Sequence, residues 1–299
     1  MEKKKKSKTG IYGSFRPVRE SLDQAFADID RFHNEEISGS DLSLGFTFLN
    51  DLFVGRERPF FSIISAPTGV GGNTGLGGSL ITKFAINFDR TIGIFSMQIS
   101  SPYYSSIMLS IAANIDHRLT RSGRLPSEQW PKLSTSAGQL AKANIYINDC
   151  RPHSIKTIRK SARKLVKETN IDLIIIDSLQ YISTKKCYKN KEHGYQKICE
   201  SLKDMSDELN VSILLMSYFS DTYDPESIYE ALDCASLRFL QNYGMIPDAE
   251  LYLIPGKQDR EDRLFNLHIY RNREGLTGTI GLRQNLYGGG FEESEISSH

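Results

Sequence analysis

Few residues in this sequence are suited to a metal centre or a disulfide framework. The four cysteines are scattered and none forms a C-x-x-C pair: Cys150, Cys187, Cys199 and Cys234. This spacing argues against both kinds of site and favours a reducing compartment, so we expect a cytoplasmic protein.

Long apolar runs and an excess of charge of one sign are also absent. No apolar stretch reaches the ~18 residues that a membrane span needs, and the start, MEKKKKSK, lacks the apolar segment of a signal peptide. We therefore expect no membrane partner. The formal net charge is +1, so only local patches could indicate a nucleic-acid partner.

Hydrophobic spacing divides the chain into four parts. Residues 1–16 are predicted to be a basic flexible tail, and 289–299 a flexible C-terminal tail. Residues 17–36 are predicted to form a linker helix, because apolar residues recur there every three or four positions: Val18, Leu22, Ala25, Phe26, Ile29 and Phe32. Residues 37–288 would form the main domain.

Within the main domain, short apolar strands alternate with helical segments. Five apolar stretches predict buried strands: PFFSIISA, TIGIFSMQIS, ANIYINDC, IDLIIIDSLQ and VSILLMSYFS. Three further strands are predicted at AELYLIP, LFNLHIYR and GTIGLRQNL. Continuous apolar strands separated by helices predict an α/β fold, with a mostly parallel sheet and helices on both faces.

A glycine-rich run, GVGGNTGLGGSLITKF, follows the first predicted strand. In the phosphate-loop pattern G-x-x-x-x-G-K-[ST], one frame matches Gly72, Gly77 and Ser79 and puts Gly78 in the lysine position. A second frame, from Ala66 through Gly71, puts Gly72 there, followed by Asn73. Glycine backbone N–H groups can surround phosphate oxygens, and Ser79 could bind Mg²⁺. By itself the run is equally compatible with a flexible surface loop.

Asp177 ends the most apolar predicted strand, about 100 residues after the glycine run. A carboxylate at that position can accept a hydrogen bond from water bound to Mg²⁺. The alternative is an ordinary aspartate at a strand-end turn. The order of the two motifs, with two predicted strands between them, favours the functional interpretation.

Several segments, in order, resemble the C-terminal RecA-like motor domain of DnaB-type replicative DNA helicases. They are LSLGFTFLNDLFVG, IGIFSMQIS, SGRLPSEQWPKL with AKANIYINDC, LIIIDSLQYI and YRNREGLTGTIGL. The resemblance spans nearly the whole chain, from about Val18 to Tyr287. It implies a RecA-like fold, a ring-shaped hexamer, ATP and Mg²⁺ between subunits, and single-stranded DNA in the central channel. The linker helix would pack on the next subunit.

The resemblance also implies roles for individual residues. Ser79, Asp177 and Gln180 match the family's nucleotide site, and Arg271 and Arg273 match the basic pair that reaches the neighbouring subunit's ATP. Three positions depart from the family. Gly78 stands for the loop lysine, Gln98 for the glutamate that activates water, and Tyr218 for the glutamine that senses the γ-phosphate. We therefore expect weak binding of ATP and impaired hydrolysis.

In the family, the loops after the fourth and fifth strands line the DNA channel. The first of these carries four lysines suited to phosphate oxygens: Lys185, Lys186, Lys189 and Lys191. A solvated basic loop is the alternative. The second loop is acidic and would repel DNA, with Asp221, Asp224, Glu226, Glu230 and Asp233.

Two functions remain open at this point. One is an ATP-dependent DNA helicase acting in replication. The other is a non-hydrolysing regulatory or structural paralogue that joins or caps a helicase ring, with a replicative helicase or another replication protein as partner. The loss of both lysine and glutamate favours the second as a mechanism, whereas the resemblance along the chain favours the first.

Overall fold

The chain divides into two compact units, residues 1–41 and 42–299. The computed structural model describes residues 22, 26, 46, 59–68, 72–87, 89–151, 153–183, 190–219, 247–255, 263–273, 277–285 and 289–294. In the first unit, Leu22 and Phe26 are helical. The rest of the predicted linker helix, and the predicted tail over 1–16, lie outside the described residues.

The second unit is built on one sheet, which has nine strands among the described residues. The strands are β1 (Phe61–Pro67), β2 (Ile92–Ser96), β3 (Ile145–Asn148), β4 (Leu173–Asp177), β5 (Ser212–Phe219), β6 (Ala249–Pro255), β7 (Leu264–Asn272), β8 (Gly278–Gln284) and β9 (Phe291–Glu293). Their order across the sheet is β3-β2-β4-β5-β1-β6-β7-β8-β9. Strands β1 to β6 pair in parallel, and β7 to β9 continue the sheet antiparallel.

Helices lie between the parallel strands β1 to β5 along the chain. They are α1 (Gly72–Asn87), α2 (Ser101–Ala113), α3 (His117–Ser122), α4 (Trp130–Lys142), α5 (Ile155–Glu168) and α6 (Lys191–Leu209). Two short 3₁₀ helices span Ser127–Gln129 and Leu179–Tyr181. No described helix has the length and apolar character needed to cross a bilayer.

Two hydrophobic clusters lie on opposite faces of the sheet. Leu76 and Ile81 of α1 belong to one cluster, while Ile158 of α5 and Leu202 of α6 belong to the other. Every residue of β1, β2 and β4 is buried. Each fully buried Leu or Ile side chain contributes about 1.5–3 kcal/mol, so these central strands anchor the domain. The predicted α/β fold, mostly parallel with helices on both faces, is confirmed.

The structure corrects three local predictions. The first helix begins at Gly72, so most of the glycine run is helical and not a loop. Residues 117–142 contain α3 and α4, which were not predicted because glycine and proline interrupt the apolar spacing. The predicted C-terminal tail includes β9, whose Phe291 is 1% exposed and packs edge-on against Phe265.

Candidate functional site

Polar side chains meet where β1, β4 and β5 end, because parallel neighbouring strands bring their carboxyl ends to one edge of the sheet. Asn73, at the start of α1, donates from Nδ2 to the carbonyl oxygen of Ser217 on β5 at 2.6 Å. Thr74 donates from Oγ1 to Oδ2 of Asp177 at 3.4 Å. The hydroxyl of Tyr218 also hydrogen-bonds the Asp177 carboxylate. We call Asn73, Thr74, Asp177 and Tyr218 the Asp177 cluster.

Asp177 is the electrostatic centre of this cluster. Its side chain is 3% exposed at the end of β4. Burial raises its pKa to about 6, although hydrogen bonds from Thr74 and Tyr218 oppose that rise. Among the described residues Oδ1 has no hydrogen-bond partner, and neither does the buried hydroxyl of Tyr104. Among the described residues, the carboxylate therefore keeps one acceptor for a ligand.

Gln180 fixes the geometry of β5 beside the cluster. Its Nε2 donates to Ser217 Oγ at 2.9 Å and to the carbonyl oxygen of Tyr218 at 2.7 Å. Its Oε1 accepts from the Tyr218 backbone N–H at 3.1 Å. The predicted site residues Gln180 and Tyr218 are thus brought together with Asp177. Both the amide nitrogen and the amide oxygen of Gln180 are used within the protein, so its contribution is to position Tyr218.

Gln98 lies just after β2, the neighbour of β4 on the side away from β5. Met97 donates its backbone N–H to the carbonyl oxygen of Asp177 at 2.9 Å, which ties the two strand ends together. The Gln98 side chain is exposed and donates from Nε2 to the hydroxyl of Tyr181 at 2.7 Å. Gln98 therefore stands at the same edge as Asp177, with its amide held by a tyrosine.

The structure separates Ser79 and Gly78 from this edge, which corrects the first frame of the glycine run. Both residues lie in the second turn of α1. Ser79 is 0% exposed, and its Oγ donates to the Gly75 carbonyl oxygen at 2.9 Å and accepts from the Phe291 N–H at 2.7 Å. Ser79 therefore cannot offer its hydroxyl to Mg²⁺. The helix start, where phosphate loops bind their ligand, carries Gly72 and Asn73, as in the second frame.

The later glycines of the run allow close packing rather than phosphate contact. A Cβ on Gly75 would lie 2.5 Å from the carbonyl oxygen of Gly289, and one on Gly77 would lie 3.0 Å from Tyr104 Oη. A Cβ on Gly78 would lie 2.8 Å from Ile111. Helix α1 thus has glycine, with no side chain, where it packs against α2 and the turn before β9. Tertiary packing therefore explains Gly75, Gly77 and Gly78 of the glycine run.

Lys83 does not replace the missing lysine. Its Nζ lies 4.1 Å from the ring centroid of Phe46. Burial lowers its pKa, while Glu292 and Glu293 act in the opposite direction. This side chain is therefore committed to the region near β9, several turns along α1 from the Asp177 cluster.

The architecture and the site can now be compared with known proteins. A family model described as "DnaB-like helicase C terminal domain" matches residues 41–292. The chain belongs to this family.

Individual relatives agree with that assignment. The chain is 26% identical to "Replicative DNA helicase DnaB" of Geobacillus stearothermophilus and 25% identical to "Replicative DNA helicase DnaC" of Bacillus subtilis (strain 168). Each match covers 90% of this chain and 60% of the relative. The chain therefore spans about 60% of the length of these curated relatives.

Solved structures show the same fold. A solved ATPase domain has a TM-score of 0.78 at 21% identity, covering 94% of this chain and all of that one. A DnaB-like replicative helicase, solved in work on its interactions with primase, has a TM-score of 0.74 at 22% identity, covering 96% of this chain and 69% of that one.

In this DnaB-like domain, Arg271 on β7 and Arg273 just after it lie four strands across the sheet from Asp177 on β4. Strand β7 runs antiparallel to β6, and Arg271 pairs with Glu250 near the start of β6. Arg273 Nη1 lies 3.4 Å from Asp248 Oδ1. The backbone N–H of Arg273 donates to the Asp248 carbonyl oxygen at 2.8 Å. Neighbouring strands lie about 4.8 Å apart, so β7 is about 19 Å from β4 across the sheet. The two arginines therefore cannot reach the Asp177 cluster of their own chain.

The predicted DNA contacts are mostly beyond what the structure describes. Lys185, Lys186 and Lys189 lie outside the described residues, as do all five acidic residues of the second loop. Lys191 is the first residue of α6 and is exposed.

Sequence reasoning did not assign Asn73, Thr74 or the nearby Tyr104 to the site. Asn73 and Thr74 could have been found by following the second frame, since it places them at the helix start. Tyr104 had no signal of its own: it lies on α2 and approaches Asp177 only through the packing of α2 on α1.

Proposed function

We propose that this DnaB-like domain binds ATP with Mg²⁺ weakly at the Asp177 cluster and hydrolyses it far more slowly than a motor with an intact loop. One observation carries the proposal. The cluster retains a buried carboxylate with an unused acceptor, whereas α1 begins with Gly72 and Asn73, where the phosphate-loop pattern requires a lysine and a hydroxyl.

The residues present suit a nucleotide with its metal ion. The N–H groups at the start of a helix favour phosphate oxygens. Asp177 and the hydroxyl of Thr74 would hold Mg²⁺, which prefers oxygen ligands and is usually bound by one or two carboxylates together with substrate phosphates. The described residues contain no group of three or more His, Cys, Asp or Glu side chains able to hold a metal. A phosphate-dependent metal site therefore fits this chain better than a permanent one.

Slow hydrolysis follows from two replacements. General-base assistance contributes about 10²–10⁴ in rate, and Gln98 can orient a water but cannot accept its proton. A cationic contact to the transferring phosphoryl group is worth several kcal/mol, and Gly72 supplies none. The two losses need not add, because such residues act as a unit.

The position of the arginine pair supports assembly into a ring. Since Arg271 and Arg273 lie four strands away from Asp177, they could act on nucleotide only in a neighbouring copy. In such a ring, single-stranded DNA would contact the lysines after β4. The activity that we propose for the complete assembly is ATP-dependent unwinding of DNA in replication, in the cytoplasm.

A second candidate is favoured by the same pair of replacements. Loss of both the lysine and the glutamate suits a regulatory or structural paralogue that binds nucleotide without turnover and joins or caps a ring. Its partner would then be a replicative helicase or another replication protein.

Restoring the loop tests the proposal. The variant Gly72→Lys/Asn73→Thr/Gln98→Glu should bind MgATP more tightly and raise turnover at least about 100-fold, the lower range expected for a general base alone. The matched variant Gly78→Lys/Gln98→Glu should not, because a lysine at Gly78 would be buried against Ile107 and Ile111. Nucleotide titration and phosphate release would be measured with and without single-stranded DNA.

Turnover by the parent chain at about 10 per second, the median for enzymes, would refute impaired hydrolysis. An active Gly78→Lys variant with an inactive Gly72→Lys variant would refute the second frame. Restored turnover that single-stranded DNA stimulates would favour the motor over the regulatory paralogue.

A further inference from the structure

A cleft lies between the edge strand β3 and helix α5, on the face of the sheet away from α1. Three basic side chains line it: Arg151, Lys160 and Lys164. His153, Thr157 and Cys150 complete its polar surface. None of the described residues lining the cleft carries a carboxylate. A cavity lined only by cations and neutral groups favours a negatively charged occupant.

The charges of the cleft are poorly neutralised within the protein. Among the residues that the structure describes, Arg151 makes only long contacts to neutral acceptors, the carbonyl oxygens of Met97 at 3.4 Å and Gln98 at 3.5 Å. The nearest acid in sequence, Asp149, is occupied instead by the N–H and Oγ of Ser101, at 2.6 and 2.7 Å. Lys164 meets Glu168 at 3.8 Å, but both side chains are largely exposed, so this pair neutralises little.

A buried group in the same cleft lacks a partner. His153 is 6% exposed, and its Nε2 has no hydrogen-bond partner among the described residues. Its backbone is fixed, because its carbonyl oxygen accepts from the Ser183 N–H at 2.8 Å. A buried nitrogen without a partner is costly, and a ligand oxygen in the cleft would satisfy it.

The spacing of the cations limits the size of the ligand. Lys160 and Lys164 are four residues apart on α5, so their Cβ atoms lie about 5–6 Å from each other. Arg151 and His153 face them from the connection after β3. All three cations thus border a single cleft, which suits a compact anion better than an extended polymer backbone. A planar guanidinium with a nearby ammonium is well suited to phosphate oxygens.

From these observations we propose that the β3–α5 cleft binds a small phosphate-bearing anion, at a site separate from the Asp177 cluster. The anion could be free, as inorganic phosphate or pyrophosphate, or it could be the phosphate end of a nucleotide. Arg151, Lys160 and Lys164 would supply the charge, and His153 would hydrogen-bond one oxygen.

Cys150 provides a direct reporter, because it lines the cleft and is exposed, whereas Cys199 is buried. In the full chain carrying Cys187→Ser and Cys234→Ser, alkylation of Cys150 by neutral iodoacetamide would be followed by mass spectrometry. We expect pyrophosphate to slow the reaction at least fivefold in a saturable manner, at an ionic strength kept constant with chloride. Replacing Arg151 and Lys160 by glutamine should raise the half-protecting concentration at least tenfold.

The matched control replaces Lys132 and Lys142 by glutamine. These lysines lie on α4, which packs through Leu140 against the other face of the sheet. This variant has the same loss of charge and should keep full protection. Asp177→Asn should also keep it, which separates this site from the proposed nucleotide site.

The ligand series distinguishes the sources of the phosphate group. Equal protection by pyrophosphate and ADP indicates recognition of the phosphates alone, whereas tighter protection by ADP indicates a nucleotide. The proposal is overturned if only a single-stranded oligonucleotide protects Cys150, if no anion protects it, or if the Lys132/Lys142 variant loses protection as the cleft variant does.

Discussion

Replacing Asp177 by asparagine removes a buried charge that the fold destabilises. Burial raises the pKa of this carboxyl from 3.8 to about 6. In the unfolded chain the group ionises at the lower value, so stability falls as the pH rises from about 4 to about 6. Each tenfold difference in proton affinity is worth about 1.4 kcal/mol, so the cost at neutral pH is about 3 kcal/mol.

The variant Asp177→Asn should therefore be more stable than the parent at neutral pH, by up to about 3 kcal/mol. Asparagine has the same shape and still accepts hydrogen bonds from Thr74 and Tyr218. The advantage should grow by about 1.4 kcal/mol between pH 5 and pH 8, because the parent's carboxyl is mostly protonated at the lower pH. Urea unfolding at several pH values measures both quantities. The same variant should lose MgATP binding, as expected when a functional site is kept at the expense of stability.

Asp248→Asn is a matched control of opposite sign. Burial raises the pKa of Asp248, but the Phe61 N–H together with Lys203 and Arg273 outweighs this effect and holds the pKa below its ordinary value. That carboxylate contributes stability above its unfolded pKa, and the contribution is lost as the pH falls through the folded value. Asp248→Asn should thus be destabilised at neutral pH, and less so in acid. An Asp177→Asn variant less stable than the parent at pH 8 would refute the desolvation argument.

Two further predictions concern the packing of α1 and the contacts to DNA. Gly75→Ala should destabilise the domain in thermal unfolding, because its Cβ would lie 2.5 Å from the backbone oxygen of Gly289. The control Gly138→Ala, also inside a helix but with nothing within 4 Å of its Cβ, should stabilise it by about 0.5–1 kcal/mol; equal effects would contradict the packing role of Gly75. Alanine at the four predicted lysines should abolish binding of single-stranded DNA in fluorescence anisotropy, and each lost phosphate contact should reduce the steepness of the salt dependence by about 0.7. The variant replaces Lys185, Lys186, Lys189 and Lys191 together. Unchanged binding by this variant would mean that the loop is only a solvated surface.

Much of the architecture could be predicted because burial on both faces of a sheet leaves a direct mark on the chain. The apolar runs in β1, β2, β4 and β5 identified the central strands, and their order with the intervening helices identified a parallel sheet. Asp177 was also within reach of sequence reasoning, because a carboxylate ending an apolar strand lies at the edge where ligands bind. The short strand β9 left no such mark, since only Phe291 of its three residues is buried.

The sequence by itself determined the class of fold, the family and the absence of a lysine from every frame of the glycine run. The tertiary structure alone decided which frame stands at the helix start, because glycines that bind phosphate and glycines that permit close packing look the same in a sequence. Contacts between residues distant along the chain made the distinction: Ser79 is taken up by Phe291 of β9, and Thr74 faces Asp177 of β4. The basic cleft also depends on tertiary structure, since Arg151 and Lys160 line one cavity only when α5 packs beside the edge strand β3.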